Sequence, residues 1–475
     1  MNKNTNMAAS WLDYIKKNLA NNDTVIYREI EVNEGIIHMV YDMSACDHKV
    51  ISEFIILPVL TTNKSFSDIE SVKDKILASS VILDVNTKED ALDLILSGNV
   101  LILFGFLNKS VACYAADFPT RPIDIPSTET VIKGPRAGFN ESLADSVSSI
   151  RNKIKDPNLK FERFTLGDKS KTQVVLAYIE GNAHSSLVNY IKGKMEHIQS
   201  DYIFYSSYIE EELKCRNTPF DTIGYTEKPD AVAISLAEGK VAIIVDGSPS
   251  VSLAPYFFIE NFHSSDDYTT NKFMSNMGVI LRLFSFFLST LVPGLYIALF
   301  THHFNLIPYI FVFRVAASRA GVPFPMVIEV LIMIVFFQIL REAGVRLPQQ
   351  IGPTLSIVGA LILGEAAVQS GLTSHVTVLV AALTSIASFL VPSLSTGIFF
   401  WNVIIILFSS FLGLPGFYTG FVLLCSHIAG LTSCGYPYLY PLGTLRQFKY
   451  KELLLITGDL DEINEYIFIK DDGKK

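Results

Sequence analysis

The sequence predicts an α/β (or α+β) N-terminal region of two subdomains, followed by an all-α polytopic transmembrane domain. Two observations carry this prediction. Residues 366–445 contain no Asp, Glu, Lys or Arg, and only 8 charged side chains fall within residues 276–441. A soluble domain needs charge where it faces water, whereas the lipid-facing surface of a membrane domain does not. The second observation is a helix–hairpin pattern that occurs twice in the charged front region.

Shifts in composition set the expected domain boundaries. We predict subdomain 1 at 1–118, a Pro-rich linker at 119–140, subdomain 2 at 141–275, a transmembrane domain of about four to six spans at 276–445, and a tail at 446–475. The first residues lack the continuous apolar core of a signal peptide, so we expect the front region to remain cytosolic.

Hydrophobic spacing predicts the elements of subdomain 1. The first helix, residues 8–20, presents four apolar side chains at helical spacing: Trp11, Leu12, Ile15 and Leu19. Strands are predicted at 25–32, 36–43 and 81–85, and a helix with a capping-box start at 67–77.

The repeated pattern begins at Lys88 and again at Lys228. Each copy indicates a short helix, a glycine stop (Gly98 or Gly239), an apolar strand, a turn and a second strand. The repetition predicts two related subdomains. Chance similarity is the alternative, because helix–hairpin units are common.

The linker and subdomain 2 follow from turn and capping signals. Pro119, Pro122 and Pro126 predict an extended linker, because proline blocks helices and biases the preceding residue to extended geometry. A helix is predicted after Ser142, then strands at 160–166 and 173–179 and helices at 184–198 and 205–213.

The front region contains no recognisable catalytic constellation. Residues 134–138 lack the Gly-Lys-Ser/Thr ending of a phosphate loop, and neither the cysteines nor His184, His197 and His263 have metal-ligand spacing. We therefore predict a protein that is not an enzyme and holds no cofactor and no metal. The formal net charge of −9, without a long basic run, argues against a nucleic-acid partner.

Apolar runs predict the transmembrane helices at 278–300, 325–340, 351–372 and 376–394. Runs 398–412 and 416–431 indicate either a helical hairpin or one broken helix. Run 304–320 carries Arg314 and Arg319, which favours an interfacial or re-entrant helix. The positive-inside rule places the front region, the loop from Arg341 to Arg346 and the tail on the cytoplasmic side. That arrangement requires an even number of spans; six satisfies it, and four is the alternative.

Two carboxylates, Glu329 and Glu365, fall within these apolar runs. A charge at bilayer depth costs at least about 2.5 kcal/mol, so each should face protein or water. With Glu329, the predicted pore-lining residues are one helical stripe: Thr354, Val358, Leu361, Glu365 and Val368. Such a stripe suits an ion path with an apolar constriction. The alternatives are a membrane-edge or neighbouring-helix position for Glu365 and a structural Arg partner for Glu329.

Six segments, in order from about Arg121 to Gly443, carry a family likeness. They are VIKGPRAGFNESLADSVSSIRNKI, YTEKPDAVAISLAEGKVAIIVDGSPSVSLAP, VPFP, REAGVRLP, SIVGALILGEAAVQSGL and GYPYLYPLG. Together they resemble the A-subunit family of nutrient germination receptors (GerA-type) of endospore-forming bacteria.

The resemblance implies a multi-pass protein of the spore inner membrane with a cytosolic N-terminal region. It implies two partners, a permease-like B subunit that binds the nutrient and a lipoprotein C subunit. It further implies that A subunits form a homo-oligomeric ring in the lipid bilayer. That ring would be a nutrient-gated channel that releases monovalent cations at the start of germination.

The chain departs from the family pattern at three positions. Ile334 and Gln338 stand where the second span usually carries Glu, and Glu365 stands where Gln is usual. We interpret this difference as the relocation of one carboxylate from the second span to the third. Two other functions stay open: a secondary transporter with Glu329 and Glu365 as coupling-ion or proton sites, and a non-conducting signalling scaffold.

Overall fold

The front region is built from two five-stranded antiparallel sheets and their covering helices. The computed structural model describes residues 6–62, 66, 68–79, 81–107, 109–116, 134–268, 271–346 and 352–440. The strands are β1 Val25–Val32, β2 Gly35–Asp42, β3 Ile82–Val85, β4 Asn99–Phe104, β5 Lys109–Tyr114, β6 Leu159–Leu166, β7 Thr172–Ile179, β8 Gly224–Thr226, β9 Val241–Val245 and β10 Val251–Ala254. The helices are α1 Asn6–Asn18, α2 His48–Val50, α3 Leu57–Thr61, α4 Ile69–Lys75, α5 Lys88–Leu96, α6 Leu143–Lys153, α7 Ser185–Glu196, α8 Ser207–Leu213 and α9 Pro229–Ala237.

The two sheets have the same topology. Their strand orders are β1-β2-β4-β5-β3 and β6-β7-β9-β10-β8, and every neighbouring pair is antiparallel. The two copies of the repeat occupy equivalent places, α5-β4-β5 in the first sheet and α9-β9-β10 in the second. Two sheets with covering helices are the α/β architecture that the sequence predicts for this region.

Helices cover both faces of the first sheet, and strand β4 shows why. All of its residues are buried, and they alternate between two apolar cores. Val100, Ile102 and Phe104 pack in the core that includes α4, whereas Leu101 and Leu103 pack against α1 and α5. Successive side chains of a strand point to opposite faces, so a strand covered on both faces is apolar throughout.

Residues 48–61 form a helical segment that the sequence analysis does not predict. Asp47 begins it, accepting hydrogen bonds from the Lys49 and Val50 backbone amides at 2.7 and 3.3 Å. A π-helix, Ile51–Ile56, then lies between α2 and α3. Of the predicted linker 119–140, residues 119–133 lie outside the described residues, as does the predicted tail 446–475. The predicted domain boundaries stay predictions.

A buried ion pair joins the two sheet-bearing halves of the front region. Asp42, at the end of β2, lies 3.2 Å from Nε of Arg151 in α6, and both side chains are fully buried. The other guanidinium nitrogens donate to the Asp156 and Leu159 carbonyls at 3.1 and 3.3 Å. The second Asp42 oxygen accepts hydrogen bonds from Ser44. Burial lowers the pKa of Arg151, an effect that the nearby Asp42 charge opposes.

The chain divides into two units, and the second contains the apolar helices. The first unit is the front region described above; the second comprises Cys215–Thr222 and the described residues from Tyr256 onward. Its helices are α10 Lys272–His302, α11 Tyr309–Ser318, α12 Met326–Arg346, α13 Gly352–Gln369, α14 His375–Phe389, α15 Ser395–Leu412 and α16 Leu414–Gly430. Within the described residues, Lys272–His302 and Pro392–Leu412 are long and apolar enough to cross a bilayer, and α11, α14 and α16 are shorter apolar helices.

The last two helices form a hairpin, which settles the alternative left open by the sequence. Gly413 makes the turn with φ +66°, in the region that favours glycine. A Cβ on Gly416 would lie 2.0 Å from the Phe408 carbonyl oxygen, and one on Gly420 would lie 3.1 Å from Ile405. These contacts pair early α16 with late α15, so the two helices are antiparallel and closely packed.

Candidate functional site: two carboxylates among apolar helices

Glu329 is fully buried in the first turn of α12. Its Oε1 accepts a hydrogen bond from Nε of Arg319 at 2.9 Å, and Arg319 Nη2 lies 2.9 Å from the same oxygen. Arg319 directly follows α11 and also donates to the Phe324 carbonyl at 3.3 Å. Its side chain is 27% exposed, so the pair joins a buried anion to a cation at the surface of the unit. Arg319 is the arginine partner that the sequence analysis names as the alternative for Glu329.

The second carboxylate oxygen of Glu329 binds the N-terminus of α14. Oε2 accepts hydrogen bonds from the Ser374 amide at 3.2 Å and from the Thr377 hydroxyl at 3.1 Å. Ser374 also caps α14, since its Oγ accepts from the Thr377 amide at 3.3 Å. Tyr296 of α10 lies 3.4 Å from the Thr377 hydroxyl. The positive end of the α14 dipole therefore stabilises the buried carboxylate together with Arg319.

This arrangement links four helices. Both Glu329 oxygens accept hydrogen bonds from donors, and the Ser374 and Thr377 hydroxyls lie 3.0 Å from each other. Breaking such a buried pair is strongly destabilising, because one charge remains without compensation. Glu329 can thus fix the ends of α11, α12 and α14 relative to one another, with Tyr296 adding α10.

Glu365 has a different environment. It lies on α13, it is exposed, and it accepts a hydrogen bond from Gln369 Nε2 at 3.0 Å, one helical turn away. Val368 of the same stripe is half-buried. The remaining stripe residues, Thr354, Val358 and Leu361, belong to α13, but their side chains lie outside the description.

The two carboxylates share no hydrogen-bond partner within the described residues. Glu329 binds Arg319, Ser374 and Thr377, whereas the hydrogen-bond partner of Glu365 among the described side chains is Gln369. The roles of Ser374 and Thr377 are not evident from the sequence. A Ser-x-x-Thr sequence before an apolar helix is a capping signal. Nothing local in the sequence pairs it with a carboxylate 45 residues earlier.

His184 and His197 have local partners in the described part of the sheet-bearing unit. His184 caps α7, accepting from the Ser186 amide at 3.2 Å, and His197 Nδ1 lies 2.5 Å from the Gly193 carbonyl. Among the described residues, no group of three or more His, Cys, Asp or Glu side chains could hold a metal ion. Burial raises the pKa of the Cys113 thiol to about 12 and also raises the pKa of Cys46.

Comparison with known proteins identifies the family. Residues 13–458 match the family described as Bacillus/Clostridium GerA spore germination protein. Spore germination protein KA of Bacillus subtilis is 37% identical over 449 residues, covering 92% of this chain and 82% of that protein. GerLA of Bacillus cereus is 33% identical, with 85% and 83% covered. The membrane protein YfkQ of B. subtilis is 34% identical, with 91% and 85% covered.

One solved structure is also similar, the N-terminal domain of the A subunit of the Bacillus megaterium spore germinant receptor GerK3. It is 27% identical with a TM-score of 0.40, and the match covers 52% of this chain and 94% of that chain. The family match extends over both the sheet-bearing region and the apolar helices. This chain therefore belongs to the GerA family of spore germination proteins.

Proposed function

We propose that this protein is the membrane subunit of a spore nutrient germinant receptor. In this proposal it assembles into a ring whose nutrient-gated path releases monovalent cations at the start of germination. It is a multi-pass protein of the spore inner membrane with its sheet-bearing region in the cytosol. Its partners are a permease-like B subunit that binds the nutrient and a lipoprotein C subunit. Membership of the GerA family supports the receptor assignment.

The observation that carries the channel proposal is the exposure of Glu365. The residue lies on an apolar helix, where its only described side-chain partner is Gln369. Ile362, three residues earlier, is also exposed. An ionised carboxylate at bilayer depth faces protein or water, not lipid. If α13 spans the bilayer, as we propose, an exposed Glu365 would face lipid in a single copy, and a ring with a water-filled centre supplies the water.

The helix packing is in keeping with the six spans that we propose. Gly359 of α13 packs on Leu340 of α12, and Gly364 of α13 packs on Val378 of α14, so α13 contacts both neighbours. In our proposal, the helices α10, α12, α13, α14, α15 and α16 alternate in direction, as the α15–α16 hairpin does. The short helix α11 is not counted as a span, which agrees with the interfacial position expected for it.

Both ends of the helical unit lie on one side in this arrangement. The Phe258 amide, before α10, donates to the Tyr438 carbonyl, after α16, at 2.9 Å. The Phe258 and Tyr438 rings are 5.9 Å apart. An even number of spans places both flanking segments on one side of the membrane. The contact agrees with that arrangement and supports a cytosolic position for the chain on either side of the helices.

The proposed path is lined by Thr354, Val358, Leu361, Glu365 and Val368. Val358 and Leu361 form the apolar constriction that keeps the closed path dry, and Glu365 attracts cations beside it. Glu329, predicted as a further lining residue, has both oxygens engaged by donors. In our proposal it contributes to the path by fixing the ends of α12 and α14.

A potassium-leak assay tests this proposal. The purified full-length chain is reconstituted into liposomes loaded with K⁺, and its oligomeric state is imaged in the same preparation. We expect a ring with a central path, and we expect Val358→Ala to increase K⁺ efflux at least about tenfold, because a smaller side chain admits water to the constriction. Val422→Ala is the matched control, since Val422 is 61% exposed on α16.

Three results would contradict the channel. A strict monomer removes the ring, and equal efflux from the Val358→Ala and Val422→Ala proteins removes the constriction. Substrate uptake that depends on an ion gradient, without uncoupled K⁺ current, would favour the secondary transporter instead.

A further inference from the structure

The loop Cys215–Thr222 leaves the sheet-bearing unit and belongs to the helical unit. It follows α8, which ends at Leu213, and leads into the edge strand β8, which begins at Gly224. The loop is closed by a hydrogen bond from the Cys215 amide to the Thr222 hydroxyl at 2.9 Å. We call this segment the anchor loop.

Phe220 of the anchor loop is 1% exposed and packs directly on Gly397 of α15. A Cβ on Gly397 would lie 2.3 Å from Phe220 Cε1 and 2.6 Å from Cδ1. Carbon atoms in contact are normally at least about 3.5 Å apart. Only glycine at position 397 therefore allows the Phe220 ring to pack this closely on α15, and we call this contact the seat of Phe220. Gly397 is not needed for a turn, because it lies inside the first turns of a regular helix.

The anchor loop also binds the other arm of the hairpin. Thr218 Oγ1 lies 3.1 Å from Nε2 of His427 in α16. The His427 ring is 6.1 Å from the Phe220 ring and 5.3 Å from the Trp401 ring. Farther along the chain, Ser433 donates a hydrogen bond to the Thr222 carbonyl at 2.5 Å. The loop therefore contacts α15, α16 and the segment that follows α16.

Rigid elements of the sheet-bearing unit hold both ends of the loop. In α8, Ile209 and Leu213 are buried, and Glu210 accepts a hydrogen bond from Ser252 of β10 at 2.7 Å. After the loop, Ile223 is buried and β8 is paired with β10. Phe220 lies seven residues after the last residue of α8 and four residues before the first residue of β8.

We propose that the anchor loop is the mechanical coupler between the α15–α16 hairpin and the second sheet. With Phe220 seated on Gly397, displacement of the hairpin moves α8 and β8, and displacement of those elements moves the hairpin. The coupling is reciprocal, as linkage requires. It holds whether or not the chain conducts ions, so its test is independent of the proposed channel.

Hydrogen exchange on the full-length chain in lipid nanodiscs tests the coupler. We expect Gly397→Ala to unseat Phe220 and to accelerate exchange in Ser207–Leu213 and Gly224–Thr226 at least about tenfold, because local opening exposes their amides. Gly430→Ala is the matched control. It makes the same substitution at the end of α16, where an added Cβ would meet nothing within 4 Å, and it should leave exchange unchanged.

A suppressor separates coupling from general damage to the hairpin. Phe220→Val removes the Cδ1, Cε1 and Cζ atoms that the added methyl group would meet but keeps a branched apolar side chain, so the valine at position 220 and the methyl group at position 397 together refill the contact. The double variant Gly397→Ala, Phe220→Val should therefore return exchange to within about threefold of wild type, whereas Phe220→Ala with Gly397 retained leaves the contact empty. Failure of this rescue would overturn the proposal, as would normal exchange in Gly397→Ala. If Gly397→Ala does not fold, Phe220→Ala replaces it, since it removes the seated ring without a clash. Unchanged exchange in that variant would refute the coupler.

Discussion

Asn402 of α15 donates a hydrogen bond from Nδ2 to the backbone carbonyl oxygen of Ser289 in α10, at 3.0 Å. Both residues are buried. Pro293 lies four residues after Ser289, and proline has no N–H to donate to that carbonyl. The amide of Asn402 therefore supplies, from a neighbouring helix, the hydrogen bond that Pro293 removes from α10.

We expect Asn402→Leu to lower the free energy of unfolding by about 1–3 kcal/mol, because it leaves the buried Ser289 carbonyl without a donor. Pro293→Ala restores a backbone N–H at the right position, so the penalty should largely disappear in that background. Reversible unfolding of the full chain in detergent micelles, arranged as a double-mutant cycle, measures the coupling. An equal penalty in both backgrounds would show that Pro293 is not the reason for the contact.

The Arg319–Glu329 pair should respond asymmetrically to mutation. Arg319→Met leaves a fully buried carboxylate without its cation, and we expect a loss of about 3–5 kcal/mol. Glu329→Gln leaves a partly exposed guanidinium that can reach solvent, so the loss should be smaller. Unfolding in micelles compares the two variants.

Arg346→Met is the control for this comparison. Arg346 also pairs with a glutamate, Glu342, but 77% and 59% of these side chains are exposed. An exposed pair at this spacing contributes about 0.3–0.5 kcal/mol, so Arg346→Met should change the free energy of unfolding very little. Equal effects of Arg319→Met and Glu329→Gln would contradict the buried-anion interpretation.

The sequence predicted regular elements well where one periodicity dominates. The helix from Lys88 and the strand after Gly98 are present as α5 and β4, because alternation and the glycine stop act locally. The segment 48–61 was missed. Its run Val-Ile-Ser-Glu-Phe-Ile-Ile contains many β-branched residues, and burial of Ile51, Ile55 and Val59 against the first sheet, not local preference, stabilises a helical form.

Partnerships across the sequence could not be predicted from a single chain. Arg151 is fully buried because Asp42, more than a hundred residues earlier, neutralises it. Asn402 stands out as an amide in an apolar run, but its acceptor is defined only by a proline in another helix. The sequence shows that a polar residue stands within an apolar run and therefore needs a partner. Which residue is that partner depends on how the elements pack.

Stability of the sheet-bearing region should fall at alkaline pH. A thiol in the unfolded chain has a pKa of about 8.5, whereas burial raises the pKa of Cys113 to about 12. Above about pH 8.5 the unfolded state releases protons that the folded state retains. The stabilising contribution is therefore complete below that pH and is lost as pH rises toward 12, by up to about 1.4 kcal/mol per pH unit.

Cys113→Ala should reduce this pH slope by the contribution of one thiol, whatever its effect on absolute stability. Denaturant unfolding of the full chain between pH 8 and 10, under reducing conditions, measures the slope. Cys215→Ala is the control, because Cys215 is only partly buried. An unaltered slope in Cys113→Ala would mean that this thiol ionises in the folded state as it does in the unfolded one.

Glu365→Gln tests the carboxylate on which the channel proposal depends. In the leaky Val358→Ala background, a ring of Glu365 side chains would concentrate cations at the path, so neutralising it should reduce K⁺ efflux about tenfold or more and weaken the preference for K⁺ over Cl⁻. Raised salt should shrink the difference, because screening removes the same attraction. Glu342→Gln, an exposed carboxylate on α12, should change neither quantity. Efflux and selectivity that are unchanged in Glu365→Gln would place Glu365 outside any ion path.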